Sequence, residues 1–181
     1  MASMAALCVS AQDSTFIKVS GYAEVYYGYD LSRPPTGVRP DFLYNHKRHN
    51  EFNLNLGVLR AEFARDGVRA TLGLMAGTYA QYNLAAEPAA LRNIHEAHVG
   101  LRLSRTRELW VDAGILPSHI GFESVIGLEC MTLTRSMVAE NSPYYEAGAM
   151  VSYRPNKRLL IAGLVLNGWQ RIQREPGNQR P

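Results

Sequence analysis

The chain alternates apolar and polar residues with a period of two along about seven stretches, and no apolar run approaches the roughly 18 residues that a membrane-spanning helix needs. A period of two marks a strand with two unlike faces, because successive side chains point to opposite sides of the backbone. In the stretch 16–30, Val19, Gly21, Ala23, Val25 and Tyr27 share one face, and Lys18, Ser20, Tyr22, Glu24 and Tyr26 share the other. Phe52, Leu54, Leu56 and Val58 then stand opposite Glu51, Asn53, Asn55 and Gly57. Val68, Ala70, Leu72, Leu74 and Ala76 stand opposite Arg69, Thr71, Gly73 and Met75, and the turn Arg65-Asp66-Gly67 makes a hairpin of these two stretches. The pattern continues with Ala97, Val99, Leu101 and Leu103 against Glu96, His98, Gly100 and Arg102, and with Leu109, Val111, Ala113 and Ile115 against Trp110, Asp112 and Gly114. A sixth stretch sets Tyr145, Ala147, Ala149, Val151 and Tyr153 against Glu146, Gly148, Met150 and Ser152; the seventh, 159–168, is nearly all apolar.

The connections carry as much information as the strands. They run long (31–50), short (65–67), long (78–93), short (104–107), long (117–143) and short (154–157), so an antiparallel meander places every long loop at one end. Outer-membrane barrels show that asymmetry, with short periplasmic turns and longer extracellular loops. The charged residues also segregate: Lys18, Glu24, Glu51, Arg69, Glu96, Arg102, Asp112 and Glu146 lie on the polar faces and are the candidate pore-lining residues. Five acids against three bases, with His98 beside them, predict no sharp ion selectivity. Tyr26, Tyr27, Tyr29, Tyr144 and Tyr145, at strand ends, suit an aromatic girdle. The expectation is an all-β, antiparallel transmembrane β-barrel, incomplete, with about seven meandering strands. The competing reading is a soluble secreted β-sandwich that binds or adheres. A composition of 46% hydrophobic and 19% charged residues fits either, and a formal net charge of +3 is too small and too evenly spread to predict nucleic acid as a partner, so none is expected.

Five segments carry a resemblance: RHNEFNLNLG (48–57), LMAGTYAQYNLAAEP (74–88), DAGILPSHIGFES (112–124), LTRSMVAENSPYYEAG (133–148) and LVLNGWQRIQR (164–174). Together they resemble the OmpL-like outer-membrane β-barrel porins of Gram-negative bacteria, over nearly the whole chain. The resemblance implies an integral multi-pass protein of the outer membrane, in contact with its lipid and lipopolysaccharide. It implies a water-filled channel for passive diffusion of small hydrophilic solutes, with no cofactor and no enzymatic chemistry, and it leaves a homo-oligomer open. It also implies that the chain is the N-terminal portion of a longer porin, because the aromatic-ended closing strand of such barrels is not among its stretches.

Residues 1–11 are small and apolar, and Val9-Ser10-Ala11 matches a secretory cleavage site; they read as a truncated signal peptide, with the barrel portion over 12–181. Cys130 is then the lone cysteine of the mature chain, without a disulfide framework or a metal cluster. His95-Glu96-Ala97-His98 has the look of a zinc-protease fragment, but on a strand two His three positions apart point to opposite faces, so metal binding is not expected. His46, Lys47, Arg48 and His49 form a basic cluster in the first long loop, expected to be solvated and able to meet anionic lipopolysaccharide. No nucleophile elbow or phosphate loop is present, and a barrel hydrolase would need Ser, His and acid convergent at the strand tips. The third long loop exceeds what a hairpin requires and includes a helix-like stretch over 133–140. By analogy with constriction loops it is expected to fold into the lumen, carrying Glu123, Glu129, Arg135 and Glu140 to the narrowest point.

Overall fold

A computed structural model describes residues 2–14, 16–121, 123–174 and 177, with the backbone alone described over 2–14. Alternating β-branched, aromatic and small residues favour extended backbone, and each stretch pairs with the next. The strands are β1 (Ala2–Ser14), β2 (Ile17–Gly28), β3 (Phe52–Arg65), β4 (Val68–Ala76), β5 (Ile94–Arg102), β6 (Glu108–Pro117), β7 (Tyr145–Asn156) and β8 (Leu159–Leu166). They form one antiparallel meander in sequence order, an open sheet with β1 and β8 at its edges. Seven of these are the stretches read from the alternation. The eighth, β1, takes in most of the stretch read as a leader and pairs with β2 from Ala2 opposite Gly28. Its sequence follows no polar and apolar period, so alternation does not reveal it.

One face of the sheet is apolar and bare. Leu59, Leu72, Val99, Val151 and Val165 all lie on it and are 46–60% exposed. Phe63 and Tyr153 sit toward the short-turn end of this face, and Tyr27 and Phe52 meet at 5.1 Å between ring centroids toward the long-loop end. These are the residues placed for girdles. Tyr26, Tyr144 and Tyr145, read as girdle residues from their position at strand ends, are instead buried under the loops. Tyr26 donates no surface to lipid, because its hydroxyl accepts a hydrogen bond from the Arg48 amide at 2.8 Å.

Two irregularities change which side chains face where. Between β2 and β3 the register steps from Glu24 opposite Leu56 to Val25 opposite Leu54, so Asn55 is the extra residue of a bulge. A one-residue slip exchanges the two faces of a strand. Beyond the bulge Leu56, Val58, Arg60 and Glu62 lie on the loop-covered face, which corrects the placement of Leu56 and Val58 on the lipid face; Leu59 takes that side instead. The second step falls between β4 and β5, from Gly73 opposite Glu96 to Leu74 opposite Ile94, and leaves His95 as the extra residue.

The long loops, L1 (29–51), L2 (77–93) and L3 (118–144), gather at one end and bind one another. The Glu140 carboxylate in L3 accepts from the backbone amides of Tyr44 and Asn45 in L1, at 2.7 and 3.3 Å, and from the Asn45 side chain. Arg135 in L3 donates to the hydroxyl of Tyr79, at 3.0 Å, on the short helix α1 (Thr78–Asn83) of L2. The buried apolar cluster lies beneath these loops and includes Tyr22, Leu56, Val58, Met75, Tyr79, Val125 and Tyr144. The sheet thus has one face for an apolar medium and one covered by loops and polar groups. In a bilayer, Leu72→Arg should destabilise the fold by about 2–4 kcal/mol, and Thr71→Arg on the opposite face should cost far less. Equilibrium unfolding of both variants from lipid bilayers measures the difference.

Candidate functional site

The polar face is organised by pairs of strands that reach across a glycine. Arg69 on β4, Gly100 on β5 and Asp112 on β6 are in register in one row. The Arg69 guanidinium crosses Gly100 and holds Asp112 through both oxygens, at 2.7 and 2.5 Å. A Cβ at position 100 would collide with Asp112 Oδ1 and lie 2.8 Å from Arg69 Cγ, so only glycine leaves room for the pair. The same guanidinium stacks over the Trp110 ring, 4.3 Å from its centroid. One step away, Arg60 on β3, Gly73 on β4 and Glu96 on β5 repeat the arrangement. Arg60 Nε lies 2.5 Å from Glu96 Oε1, and a second guanidinium nitrogen lies 3.3 Å from Glu62. Each pair pins a cation and an anion flat against the sheet, where fork geometry fixes both partners.

The other residues expected to line a lumen divide into three groups. Glu24 is buried at the loop end, where it accepts from the Tyr22 hydroxyl at 2.8 Å and pairs with His46 Nε2 of L1 at 2.7 Å. Glu146 is buried and paired with His119 of L3 at 2.5 Å. Lys18 and Arg102 lie exposed toward the short turns, Lys18 opposite Glu62 in register and Arg102 paired with Glu108. Glu51 precedes β3 and binds Arg48 within L1 at 2.7 Å, so it belongs to the loop end. The basic cluster of L1 is not the solvated patch expected: Lys47 is 2% exposed, with its ammonium on the Pro40 carbonyl at 2.9 Å, and His46 is enclosed against Glu24. The face-splitting argument at His95 and His98 also fails. The bulge at His95 brings both rings to Glu96, with nitrogens 3.6 and 3.4 Å from its carboxylate oxygens.

L3 lies on the sheet rather than away from it. Its 3-10 turn Gly127–Glu129 passes so close to Glu24 that a Cβ on Gly127 would stand 3.2 Å from Glu24 Oε2, and Val125 joins the buried cluster. The helix expected over 133–140 is shorter, α2 (Met137–Glu140), because Ser136 caps it by accepting from the Ala139 amide at 3.2 Å. Glu123 staples the two limbs of the loop: its carboxylate accepts from the Ser136 hydroxyl and, at 3.1 Å, from the Ser136 amide. Those two bonds, the hydroxyl's first, hold the Glu123 carboxyl below the usual carboxylate range. Between L3 and the strands lies a cavity of about 280 Å³, walled by Arg60, His95, Glu96 and Tyr144 from the sheet side and by Glu123, Val125, Glu129 and Arg135 from the loop. Three of the four loop residues read from the sequence therefore meet around one cavity. Glu140 does not, being drawn away to L1. Arg60, Glu62, His95 and Tyr144 are the site residues that alternation misses. Arg60 and Glu62 are charges on a strand already found, and they could have been flagged by extending β3 to its turn.

The arrangement is a sheet with paired ions and a loop folded against them on one face, and an apolar outer face. Comparison with protein-family models gives a match over residues 16–181 to the family described as beta-barrel porin-2, OmpL-like. Neither the curated proteins nor the solved structures compared with the chain include a match. A match across nearly all of the chain, on a sheet with these two faces, places the protein in the OmpL-like beta-barrel porin-2 family.

Proposed function

We propose that this chain builds the wall and the constriction of an outer-membrane channel through which small hydrophilic solutes diffuse passively. The observation that carries the reading is the partition of the sheet: strand after strand turns uncharged residues to the bare face and Lys18, Glu24, Arg60, Arg69, Glu96, Asp112 and Glu146 to the other. Lipid satisfies the first face, and water with paired ions satisfies the second; the ladder itself satisfies the backbone between them. In this reading L3 is the constriction loop and the short turns are periplasmic. A β-sandwich would need a second sheet to cover the apolar face, and the described strands form a single sheet.

The ion pairs on the wall set what the channel can do. Arg69 with Asp112 and Arg60 with Glu96 cancel locally, so the passage holds strong hydrogen-bonding groups without a large net field. That combination supports diffusion of polar solutes with weak ion preference. The protein should be recovered in the outer-membrane fraction and migrate on gels in a heat-modifiable manner; release into the soluble fraction would end the reading. In planar bilayers, Arg135→Ala should raise single-channel conductance, since it releases L3 from Tyr79. Unchanged conductance would mean that L3 does not constrict.

The staple at Glu123 adds a pH dependence whose sign is fixed. A carboxyl held below its ordinary value contributes order while ionised, and that contribution is lost as pH falls through the depressed value. Conductance should therefore be flat from neutral pH down to about 4 and rise below it. Glu123→Gln should show the raised conductance at neutral pH and lose the acid step.

A further inference from the structure

The two ends of the sheet differ in how their cations are held. In L1, Arg39, Lys47 and Arg48 each stand against an acid, Asp30, Asp41 and Glu51, at 3.7, 3.2 and 2.7 Å. At the other end, the β5–β6 turn carries Arg105 and Arg107, and the end of β7 with its turn carries Arg154, Lys157 and Arg158. All five are exposed, and among the described residues none of their side chains has an ion-pair or hydrogen-bond partner. The acids beside them are already engaged. Glu108 lies opposite Arg154 in register, but one of its carboxylate oxygens pairs with Arg102 and the other accepts from the Trp110 indole at 3.1 Å. Asp66, in the turn between β3 and β4, is paired with Arg65 at 2.9 Å. Both turns hold their shape without the five cations. Ser104 Oγ accepts from the amides of Thr106 and Arg107 at 3.4 and 3.2 Å, and Asn156 Oδ1 accepts from those of Arg158 and Leu159 at 2.9 and 3.1 Å. Because β6 pairs with β7, the turns are neighbours, and the strands from β5 to β8 span three spacings, about 15 Å.

These cations border the bare apolar face. Leu101 on β5 and Leu159 and Ile161 on β8 lie on that face next to the two turns and are 47–55% exposed. We infer that the two turns form a seat for the phosphate headgroups of anionic phospholipid, an inference that rests on the channel reading above, in which this face meets lipid. Acyl chains lie along Leu101, Leu159 and Ile161, and the flexible arginine and lysine stems reach the phosphates at the level where the apolar face ends. A guanidinium offers a phosphate two parallel N–H donors, and a set of unneutralised cations attracts an anionic headgroup more strongly than a zwitterionic one. A soluble polyanion would meet the same cations and leave the apolar border beside them bare, so the phosphates are assigned to lipid. The paired cations of L1 offer no such surplus of charge. A seat of this kind fixes the level at which the strands sit in the bilayer.

Lipid can be read at the turn itself. A fluorophore on Thr106→Cys, in an otherwise cysteine-free protein reconstituted in phosphatidylcholine bilayers, is quenched by added lipid that carries a nitroxide near the head of its acyl chain. At low salt, labelled phosphatidylglycerol should quench at least about fivefold more strongly, mole for mole, than phosphatidylcholine with the same label. That ratio should fall toward unity in about 1 M salt, where charges are screened within about 3 Å. Arg105→Gln with Arg107→Gln, and Lys157→Gln with Arg158→Gln, should each lower the ratio, and the four changes together should bring it close to unity. Equal quenching by the two lipids on the unaltered protein, or a ratio that survives the four changes, overturns the seat and leaves the channel. Should the quadruple variant not fold, the salt dependence and the two double variants still decide. A ratio of unity joined to binding of tripolyphosphate by the protein in neutral micelles overturns the seat as well and gives the cations a soluble polyanion. No quenching by either lipid sets the turn away from the bilayer, and refutes the channel reading together with the seat.

Discussion

A strand that crosses a bilayer must pair all of its backbone with its neighbours and show lipid an uncharged face, because hydrocarbon offers no hydrogen bonds. The rest of this structure depends on that constraint. It fixes the period of two, turns Lys18, Glu24, Arg60, Glu62, Arg69, Glu96, Asp112 and Glu146 to the same side, and gathers on one surface a set of charges that no ordinary core would hold. The glycines at 73 and 100 answer the resulting crowding. They remove a side chain between an arginine and an acid two strands away, so that Arg60 meets Glu96 and Arg69 meets Asp112 flat against the sheet. Paired in this way, the charges stay neutralised by their partners flat against the sheet.

The loops are governed by the same surface. L1, L2 and L3 all rise from one end of the meander; Glu140 ties L3 to L1, Arg135 ties L3 to L2, and Glu24 of β2 ties L1 to the sheet. L3 is the only one of the three whose backbone passes close over the strand residue Glu24 among the described contacts, at Gly127. Stapled by Glu123 and capped at Ser136, it has a defined shape while being short of regular structure. A loop of this kind can set the width and the chemistry of an opening without taking part in the fold of the wall.

Strand existence, order and the polar face of β4, β5, β6 and β7 were legible in the sequence, because the polar and apolar residues read in these stretches alternate without a break. What escaped was the phase of β3. The bulge at Asn55 has no sequence mark of its own, and beyond it Leu56 and Val58 exchange sides with Leu59. The bulge at His95 had a similar effect, bringing to Glu96 two imidazoles that strict alternation sends apart. In the loops, residue type showed where charge would gather but not what would neutralise it. Lys47 and His46 look like a solvated cluster because their partners, the Pro40 carbonyl and Glu24, are set by folding over distances that local pattern does not encode. The same limit applied to Tyr26, Tyr144 and Tyr145, whose burial comes from loops folding back over strand ends.

The central claim is that alternate residues of one strand see water and hydrocarbon. Single cysteines at Thr71 and Leu72 of β4 and at His98 and Val99 of β5, in an otherwise cysteine-free protein in outer membranes, can be titrated with a small charged thiol reagent. The account predicts modification at Thr71→Cys and His98→Cys and protection at Leu72→Cys and Val99→Cys. Equal reactivity at all four positions, or the inverse pattern, would contradict it.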